Sequence, residues 1–587
     1  MSDIIQLLPD GIANQIAAGE VIQRPASALK ELLENSIDAG ASDIHVIIRD
    51  AGRTLIQVTD NGCGMSSTDA RMSFERHATS KIRNAQDLFA IRTMGFRGEA
   101  LASIVAVAQV EMKTKRVEDE TGTCIRIEGS ELREQALCAC SNGTSIAVKN
   151  LFYNVPARRK FLKSDQVELR NLMEEFQRIG IAHPELSFTF YNDNRIIYQL
   201  PASNQKTRLI NILGSSYLDR LVPVMEDTDV VKISGFIGKP QFARKTRGEQ
   251  YFFANRRYIR HPYLHHAVEE AFQELIPDEA FPSYFIMLEV NPANIDVNIH
   301  PTKIEVNFLH QQIIYSIVRA AVKKALGLHN LSPSLDFDQE PGLPYDPSAY
   351  KGEIKQPTIT INPDYNPFTR GTPPDNPPAY KRPVVQKWEK LYAPHGQEAE
   401  DTSHMVQIHD QYIVSSVKSG ILLVDQQAAH ERILFERYLR LFTQQKPASQ
   451  QILYPHTLHL SPQDFELITS ILAEIRHIGF EISEFGRNMY IITGVPSGME
   501  DTDIGELIDA MLENFKKNKD DLVQDKKINF ARSLSRQQAL KPGKKLSEAE
   551  MNSLIDELFA CDAPEMAPDG RKTFVILPFG ELAQRFK

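Results

Sequence analysis

Three polar side chains share one face of a predicted helix and could together bind a metal ion and activate water. Glu31, Asn35 and Asp38 lie at positions i, i+4 and i+7 of a segment whose leucines recur at helical spacing. Pro25 suits the first helical turn, and Gly40 ends the segment. A carboxylate can accept a proton from an attacking water, and an amide oxygen is a hard ligand for Mg²⁺. The alternative for such a face is ordinary solvated surface.

Two predicted strands follow this helix and lead into a turn rich in glycine. Apolar residues alternate with polar ones in Asp43–Arg49 and Thr54–Thr59, which is typical of half-buried strands. Asp60 comes directly after the second strand and could accept a hydrogen bond from an exocyclic amine. Gly62 and Gly64 would allow the backbone to approach a flat ligand. By itself, an Asp-Asn-Gly sequence is most often an ordinary turn.

A loop flanked by glycines could bind phosphates. Gly95 and Gly98 precede the apolar segment Ala100–Val107, which predicts a helix. The N-terminus of a helix presents backbone N–H groups that suit an anion. The GxxxxGK[ST] pattern of a P-loop does not occur in the sequence, so a nucleotide would have to be held in another way.

Length and composition restrict the class of protein. A chain of 587 residues predicts about two to four domains. No apolar run is long enough to span a membrane, and the five cysteines have no paired spacing, so we expect a reduced, cytoplasmic protein with no membrane partner. A net charge of −10 excludes a uniformly basic nucleic-acid-binding protein, so any DNA binding must depend on local basic patches.

Taken together, the motifs resemble those of the GHKL ATPases and, within that superfamily, the MutL family of mismatch-repair proteins. ELLENSIDAGA begins at Glu31, DNGCGM at Asp60 and GFRGEALASI at Gly95. RHATSKI at Arg76–Ile82 and GTSIAVKNLFYNVPARRKFLK at Gly143–Lys163 extend the match. The resemblance covers essentially the whole chain and is strongest up to about residue 330.

The resemblance implies an α/β (α+β) fold with four parts. These are a GHKL ATPase domain at 1–215, a ribosomal-protein-S-five-like α/β domain at 216–330, a proline-rich linker at 331–403 and an α/β dimerisation domain at 404–587. Composition supports the linker independently, since thirteen of the 33 prolines lie between residues 331 and 400. A flexible coil of about seventy residues would span on the order of 40–50 Å.

The resemblance also implies roles for individual residues, with ATP and Mg²⁺ as cofactors. Glu31 would be the general base, with Glu34 as its rival, and Asn35 would coordinate Mg²⁺. Lys303, in the second domain, would reach the γ-phosphate. Asp60 would contact adenine, and Gly62, Gly64 and Thr144 would line the base pocket. Thr79 is a further implied nucleotide-binding residue. The residues implied to embrace the phosphates are Gly95, Arg97, Gly98, Glu99, Ala100 and Leu101.

The dimerisation domain of many family members carries a metal-dependent endonuclease with the pattern DQHAxxExxxxE. This chain keeps Asp425 and Glu431, but Gln427 replaces the histidine. The terminal metal-binding motif has the apolar residues Leu577 and Phe579 in place of its ligands. Apolar side chains do not bind zinc or manganese, so we expect an ATPase without nuclease activity.

Two further sets of residues are predicted to bind partners. Sequence-independent DNA binding is assigned to five arginines in basic clusters, with a solvated basic face as the alternative: Arg158, Arg159, Arg256, Arg257 and Arg260. Gln450, Leu453 and Pro455 form a QxxLxP pattern that resembles a sliding-clamp-binding peptide.

The predicted function is that of a homodimeric clamp that binds ATP and hydrolyses it slowly. The clamp would couple mismatch recognition by MutS to downstream strand removal, with a helicase or nuclease as a further candidate partner. The alternative is a nicking endonuclease regulated by its ATPase, with a metal site rebuilt around Asp425, Glu431 and His430. A GHKL chaperone or topoisomerase subunit is disfavoured by the GFRGEAL motif.

Overall fold

The structure is a computed structural model, and its described residues confirm the predicted mixed α/β fold. The described residues are 10–81, 93–95, 98–277, 280–296, 304–330, 405–417, 419–442, 449–496, 504–517 and 526–586. Among the predicted site residues, Arg97 and Lys303 lie outside these ranges, as does the whole predicted linker. None of the described helices is long and apolar enough to cross a membrane.

An eight-stranded sheet forms the first part of the chain, in the order β5-β4-β3-β6-β2-β1-β7-β8. Its strands are β1 (Asp43–Arg49), β2 (Leu55–Asp60), β3 (Gln109–Lys115), β4 (Gly122–Glu128), β5 (Glu131–Cys138), β6 (Gly143–Lys149), β7 (Ser187–Asn192) and β8 (Arg195–Leu200). The helices around it are α1 (Asp10–Val21), α2 (Pro25–Asp38), α3 (Ser67–Met72), α4 (Ala100–Val107), α5 (Pro156–Phe161), α6 (Asp165–Ala182) and α7 (Gln205–Leu213).

The alternating residues of β1 and β2 explain why helices cover one face of this sheet. Every second side chain of both strands is buried, as the period of two in a strand requires. Leu29 and Leu32 of α2, Ile104 of α4 and Phe176 of α6 belong to the same apolar core as the buried strand residues. The core therefore fixes α2 against β2 and α4 against β3 and β4.

A five-stranded sheet in the order β12-β11-β13-β10-β9 forms the second part. Its strands are β9 (Leu221–Asp227), β10 (Lys232–Gly238), β11 (Gln250–Ala254), β12 (Arg257–Ile259) and β13 (Tyr284–Glu289), and β14 (Ile295–Asp296) pairs separately with β15 (Asn307–Phe308). Helices α8 (Pro262–Phe272) and α9 (Gln311–Asn330) pack on this sheet in one apolar core.

The described residues of the last part of the chain form two smaller sheets and seven helices. The sheets have the orders β16-β17-β18-β22 and β19-β21-β20. Their strands are β16 (Val406–Ile408), β17 (Tyr412–Val417), β18 (Gly420–Asp425), β19 (Ser449–His459), β20 (Glu481–Glu484), β21 (Met489–Pro496) and β22 (Phe574–Pro578). The helices are α10 (Gln426–Leu441), α11 (Pro462–Ser470), α12 (Leu472–Ile478), α13 (Ile504–Lys517), α14 (Lys526–Gln538), α15 (Glu548–Phe559) and α16 (Phe579–Arg585).

Candidate nucleotide-binding site

Helix α2 presents the predicted catalytic face as the sequence spacing requires. Pro25 is its first residue, and the leucines on the opposite face are buried. Glu31 is buried at 9% exposure, whereas Asn35 is partly exposed. The ammonium of Lys30 lies 3.7 Å from Glu31 and 3.3 Å from Glu34. The Lys30 ammonium therefore lies within ion-pair distance of both carboxylates.

Asp60, at the end of β2, is held by three hydrogen bonds. Its Oδ1 accepts from the backbone N–H of Gly62 at 3.0 Å and of Thr144 at 3.2 Å. Its Oδ2 accepts from the hydroxyl of Ser36 on α2 at 2.8 Å. Burial raises the pKa of Asp60, although all three hydrogen bonds oppose that shift. The structure therefore brings Asp60, Gly62 and Thr144 together, and it adds Ser36, which was not anticipated from the sequence.

Two threonines and a glycine pack next to Asp60. Gly64 has a φ of +65°, and a Cβ there would lie 2.1 Å from the carbonyl oxygen of Lys115, so only glycine fits. The hydroxyl of Thr114 lies 2.9 Å from that of Thr144 and accepts from the N–H of Met65 at 3.0 Å. Thr114 was also missed from the sequence, because only the pairing of β3 with β6 reveals its position.

The loop before α4 brings several predicted phosphate-binding residues together. Gly98 has a φ of +62°, and a Cβ there would lie 2.6 Å from the carbonyl oxygen of Ala78. The carbonyl oxygen of Gly98 accepts from the N–H of His77 at 3.0 Å, so this loop touches the segment that contains Thr79. Thr79 itself is exposed. Glu99, Ala100 and Leu101 follow directly, and α4 begins at Ala100.

A lysine ammonium contacts the amide oxygen that is predicted to bind Mg²⁺. Lys81 Nζ donates to Asn35 Oδ1 at 3.0 Å and to Asp38 Oδ2 at 2.5 Å. The Asp38 side chain is only 7% exposed. Two oxygen atoms that could bind a metal ion thus already contact a cation at this place. The donor set fits Mg²⁺, which prefers carboxylate and carbonyl oxygens.

Residues 93–95 are held from both sides. The N–H groups of Met94 and Gly95 donate to the two carboxylate oxygens of Asp38, each at 2.9 Å. From the other side, Arg257 Nη2 of β12 donates to the carbonyl oxygens of Thr93 at 3.2 Å and Met94 at 2.8 Å. Arg257 was assigned to DNA from the sequence, but its guanidinium is turned toward the nucleotide-binding domain.

The remaining predicted DNA-binding arginines divide by exposure. Arg159, Arg256 and Arg260 are exposed, and Arg256 forms a 2.6 Å ion pair with Glu185. The guanidinium of Arg158 packs against Gly19 of α1, where a Cβ would come within 1.5 Å of it. The exposed arginines are thus accessible to a DNA backbone, whereas Arg158 has a packing role.

The remnant nuclease motif holds no metal cluster among the described residues. Asp425 caps α10, because its Oδ1 accepts from the N–H groups of Gln427 and Ala428, each at 3.0 Å. Glu431 is fully buried, and its Oε2 accepts from Arg571 Nη2 at 2.8 Å. A guanidinium therefore neutralises the carboxylate that would bind a metal ion in a nuclease.

The rebuilt metal site that would include His430 stays a prediction, and the structure places this histidine next to the end of α14. His430 Nδ1 accepts from the N–H of Leu540 at 3.1 Å, so one ring nitrogen is used for packing α10 against the end of α14. Burial lowers the pKa of His430 to about 4, which keeps the ring neutral. The nearby carboxylate of Glu436 is bound instead by the N–H groups of Asp562 and Ala563 and by Arg432.

The QxxLxP residues lie on β19, and their side chains are exposed. Leu453 is 84% exposed, and Gln450 and Pro455 are exposed as well. The pairing of β19 with β21 shifts register between Gln451 and His456, so the intervening residues leave the ladder. Such a bulge re-aims side chains outward, which makes Leu453 available to a partner.

Comparisons with known proteins agree with this arrangement. Three family models match the chain: "Histidine kinase-, DNA gyrase B-, and HSP90-like ATPase" at residues 23–149, "DNA mismatch repair protein, C-terminal domain" at 209–327 and "MutL C terminal dimerisation domain" at 405–546. The first covers α2, Asp60 and Thr144, and therefore the residues that converge on the candidate site.

Similar proteins match along the whole chain. A DNA mismatch repair protein MutL of Christiangramia forsetii is 45% identical over 619 residues, and one of Flavobacterium psychrophilum is 45% identical over 613 residues. One of Phocaeicola vulgatus is 44% identical over 626 residues. In each case the match covers 100% of both chains.

Proposed function

The chain belongs to the MutL family of DNA mismatch repair proteins, and from this premise we propose that it is an ATP-driven switch. The switch couples mismatch recognition by MutS to strand removal. It contains a GHKL-type ATPase domain and a MutL dimerisation domain, so it acts as a homodimer. ATP binding closes the ATPase domains into a clamp around DNA, and hydrolysis reopens it.

The convergence of α2, β2 and β6 on Asp60 is the observation that carries the nucleotide site. The carboxylate is oriented by Gly62, Thr144 and Ser36, and the remaining lone pair of Oδ2 can accept from the exocyclic amine of adenine. Gly64 lets the turn after Asp60 pack directly against the backbone of Lys115. Adenine recognition by a buried, fixed acceptor gives discrimination, because a base without that donor leaves the acceptor unpaired.

The chemistry at the phosphate end follows from α2. Asn35 would hold Mg²⁺, which when bound neutralises negative charge on the phosphates. Glu31, one turn earlier on the same face, orients a water and accepts its proton. Lys303 and Arg97 complete the set by the family resemblance. Slow ATP hydrolysis suits a protein whose function is performed by the ATP-bound state rather than by the products of hydrolysis.

Contacts with macromolecules use exposed side chains. Arg159, Arg256 and Arg260 bind the DNA backbone without reading sequence, so binding weakens steeply with salt. The exposed Leu453, with Gln450 and Pro455, binds a sliding clamp.

Asp60→Asn is expected to weaken ATP binding by about 10- to 100-fold, because the substitution removes an acceptor for a charge-assisted hydrogen bond. With the amide oxygen kept on the two backbone N–H groups, the amide nitrogen takes the place of Oδ2, so a donor faces the exocyclic amine. Equilibrium binding of ATP, measured by calorimetry on the full chain, checks this. Asp43→Asn is the matched control, since that carboxylate lies on the same sheet but pairs with His45. Wild-type affinity in Asp60→Asn would refute the assigned adenine site.

Manganese-dependent nicking of supercoiled plasmid is expected to be absent in the wild-type protein. The reason is that Asp425 caps a helix and Arg571 already neutralises Glu431. ATP turnover in the same samples shows that the protein is active. Nicking by the wild type that disappears in Asp425→Asn would instead establish the alternative function, a nuclease with an altered metal site.

A further inference from the structure

Residues 93–95 connect the nucleotide site to the second domain through hydrogen bonds to their backbone. On one side, Asp38 accepts from the N–H groups of Met94 and Gly95. On the other, Arg257 donates to the carbonyl oxygens of Thr93 and Met94. The Thr93 hydroxyl also donates to the carbonyl oxygen of Gly95 at 2.8 Å, which stiffens the turn. The 93–95 segment is therefore held between a carboxylate of α2 and a guanidinium of β12.

The position of Arg257 is fixed by its surroundings. It is partly buried and lines a cavity of about 30 Å³ together with Lys30, Glu34, Met94 and Tyr258. Its Nη1 is buried with no hydrogen-bond partner among the described residues. A guanidinium withdrawn from water in this way depends on the hydrogen bonds that it retains, and those are the two to the 93–95 segment.

The hydrogen bonds that hold residues 93–95 use groups that a nucleotide would need. The N–H of Gly95 is expected to face a phosphate, but here it donates to Asp38. The amide oxygen of Asn35 is expected to face Mg²⁺, but here it accepts from Lys81. Since Asp38 binds Lys81 as well, the same carboxylate joins both contacts. Binding of ATP with Mg²⁺ must therefore break this network before its own contacts form.

We propose that Arg257 is a positioning residue through which the second domain holds the 93–95 segment in an arrangement that competes with ATP binding. This inference rests on the nucleotide site proposed above. Because the contact favours the state that competes with ATP, Arg257 lowers the apparent affinity for ATP. By linkage, ATP binding lowers the affinity of the 93–95 segment for Arg257 by the same factor. The nucleotide thus releases the second domain from the 93–95 segment.

The test is the sign of the change in ATP affinity. Arg257→Met removes both hydrogen bonds, and we expect ATP to bind about 10-fold more tightly to the full-length protein with Mg²⁺ present. Simple loss of folding would weaken binding, and so would loss of a cation that contacts the phosphates. Arg257→Lys keeps a charged donor at this place and is expected to have an affinity between those of the wild type and Arg257→Met. Arg247→Met is the matched control, because this arginine of the same domain is 67% exposed.

Unchanged or weaker ATP binding in Arg257→Met would overturn the inference. An error in the proposed nucleotide site would be recognised separately. In that case Asn35→Ala, introduced alone, would leave the Mg²⁺ dependence of ATP binding unchanged.

Discussion

Glu31→Ala is expected to lower ATP turnover by about 100-fold or more, while ATP affinity stays within a few-fold of the wild type. A general base contributes roughly 10²- to 10⁴-fold to a rate, and it acts on the water rather than on the bound nucleotide. Glu31 is buried next to the Lys30 ammonium, so its carboxylate is held in place. Single-turnover hydrolysis and equilibrium ATP binding, measured on the same preparation, separate the two effects.

Glu34→Gln is the control that decides between the two glutamates. Glu34 lies closer to Lys30 and lines the cavity that contains Arg257 and Ile304, so it faces the second domain. We expect this variant to lose far less turnover than Glu31→Ala. If Glu34→Gln abolished hydrolysis while Glu31→Ala retained it, the two residues would exchange roles. Equal, large losses in both would mean that Lys30, held by the pair, is the critical group.

Arg571→Met is expected to lower the stability of the C-terminal domain by about 2–3 kcal/mol at pH 7. Removal of one partner of a buried ion pair typically costs about 3–5 kcal/mol, because it leaves a buried charge without compensation. The cost is reduced here because the Arg571 side chain is 45% exposed. Glu431 is fully buried, and no described residue bonds to its Oε1. The change in the free energy of unfolding is measured by urea unfolding of the full chain, together with hydrogen exchange of the backbone N–H groups in α10.

The pH dependence of that loss has a definite sign. Burial raises the pKa of Glu431 from its ordinary value of 4.5, even with Arg571 in place. A carboxyl group with a raised pKa in the folded state contributes stability at low pH that is lost as the pH rises through that pKa. Removal of Arg571 raises the pKa further. The deficit of Arg571→Met should therefore shrink as the pH falls from 7 toward 4.5.

Two further variants test the cause of this loss. Arg437→Met breaks a pair with Glu557 in which both side chains are largely exposed, and we expect a change below about 0.5 kcal/mol. The double substitution Glu431→Leu with Arg571→Met replaces the pair by apolar groups and should recover most of the stability. A pH-independent deficit, or no recovery in the double variant, would contradict the assigned role of the buried carboxylate.

The sequence by itself determined the elements that carry the site. The helix predicted to begin at Pro25 and to stop before Gly40 is observed as Pro25–Asp38, and the predicted helix Ala100–Val107 is observed with the same bounds. The family resemblance assigned Asp60, Gly62 and Thr144 to the adenine site, and the structure brings Thr144 to Asp60 across 84 residues. The bounds of the two helices were accessible because helix ends, turns and side-chain periodicity depend on residues only a few positions apart.

The tertiary structure alone decided which distant groups meet these elements. Arg257 belongs to a basic cluster in the sequence, yet its guanidinium binds a backbone segment 163 and 164 residues away. Arg571 neutralises Glu431 across 140 residues, and Ser36 reaches Asp60 from another element. A charge has the same appearance in the sequence whether it is solvated, paired or bound to a carbonyl oxygen. Only the packing of the sheets and helices specifies which of these environments it occupies.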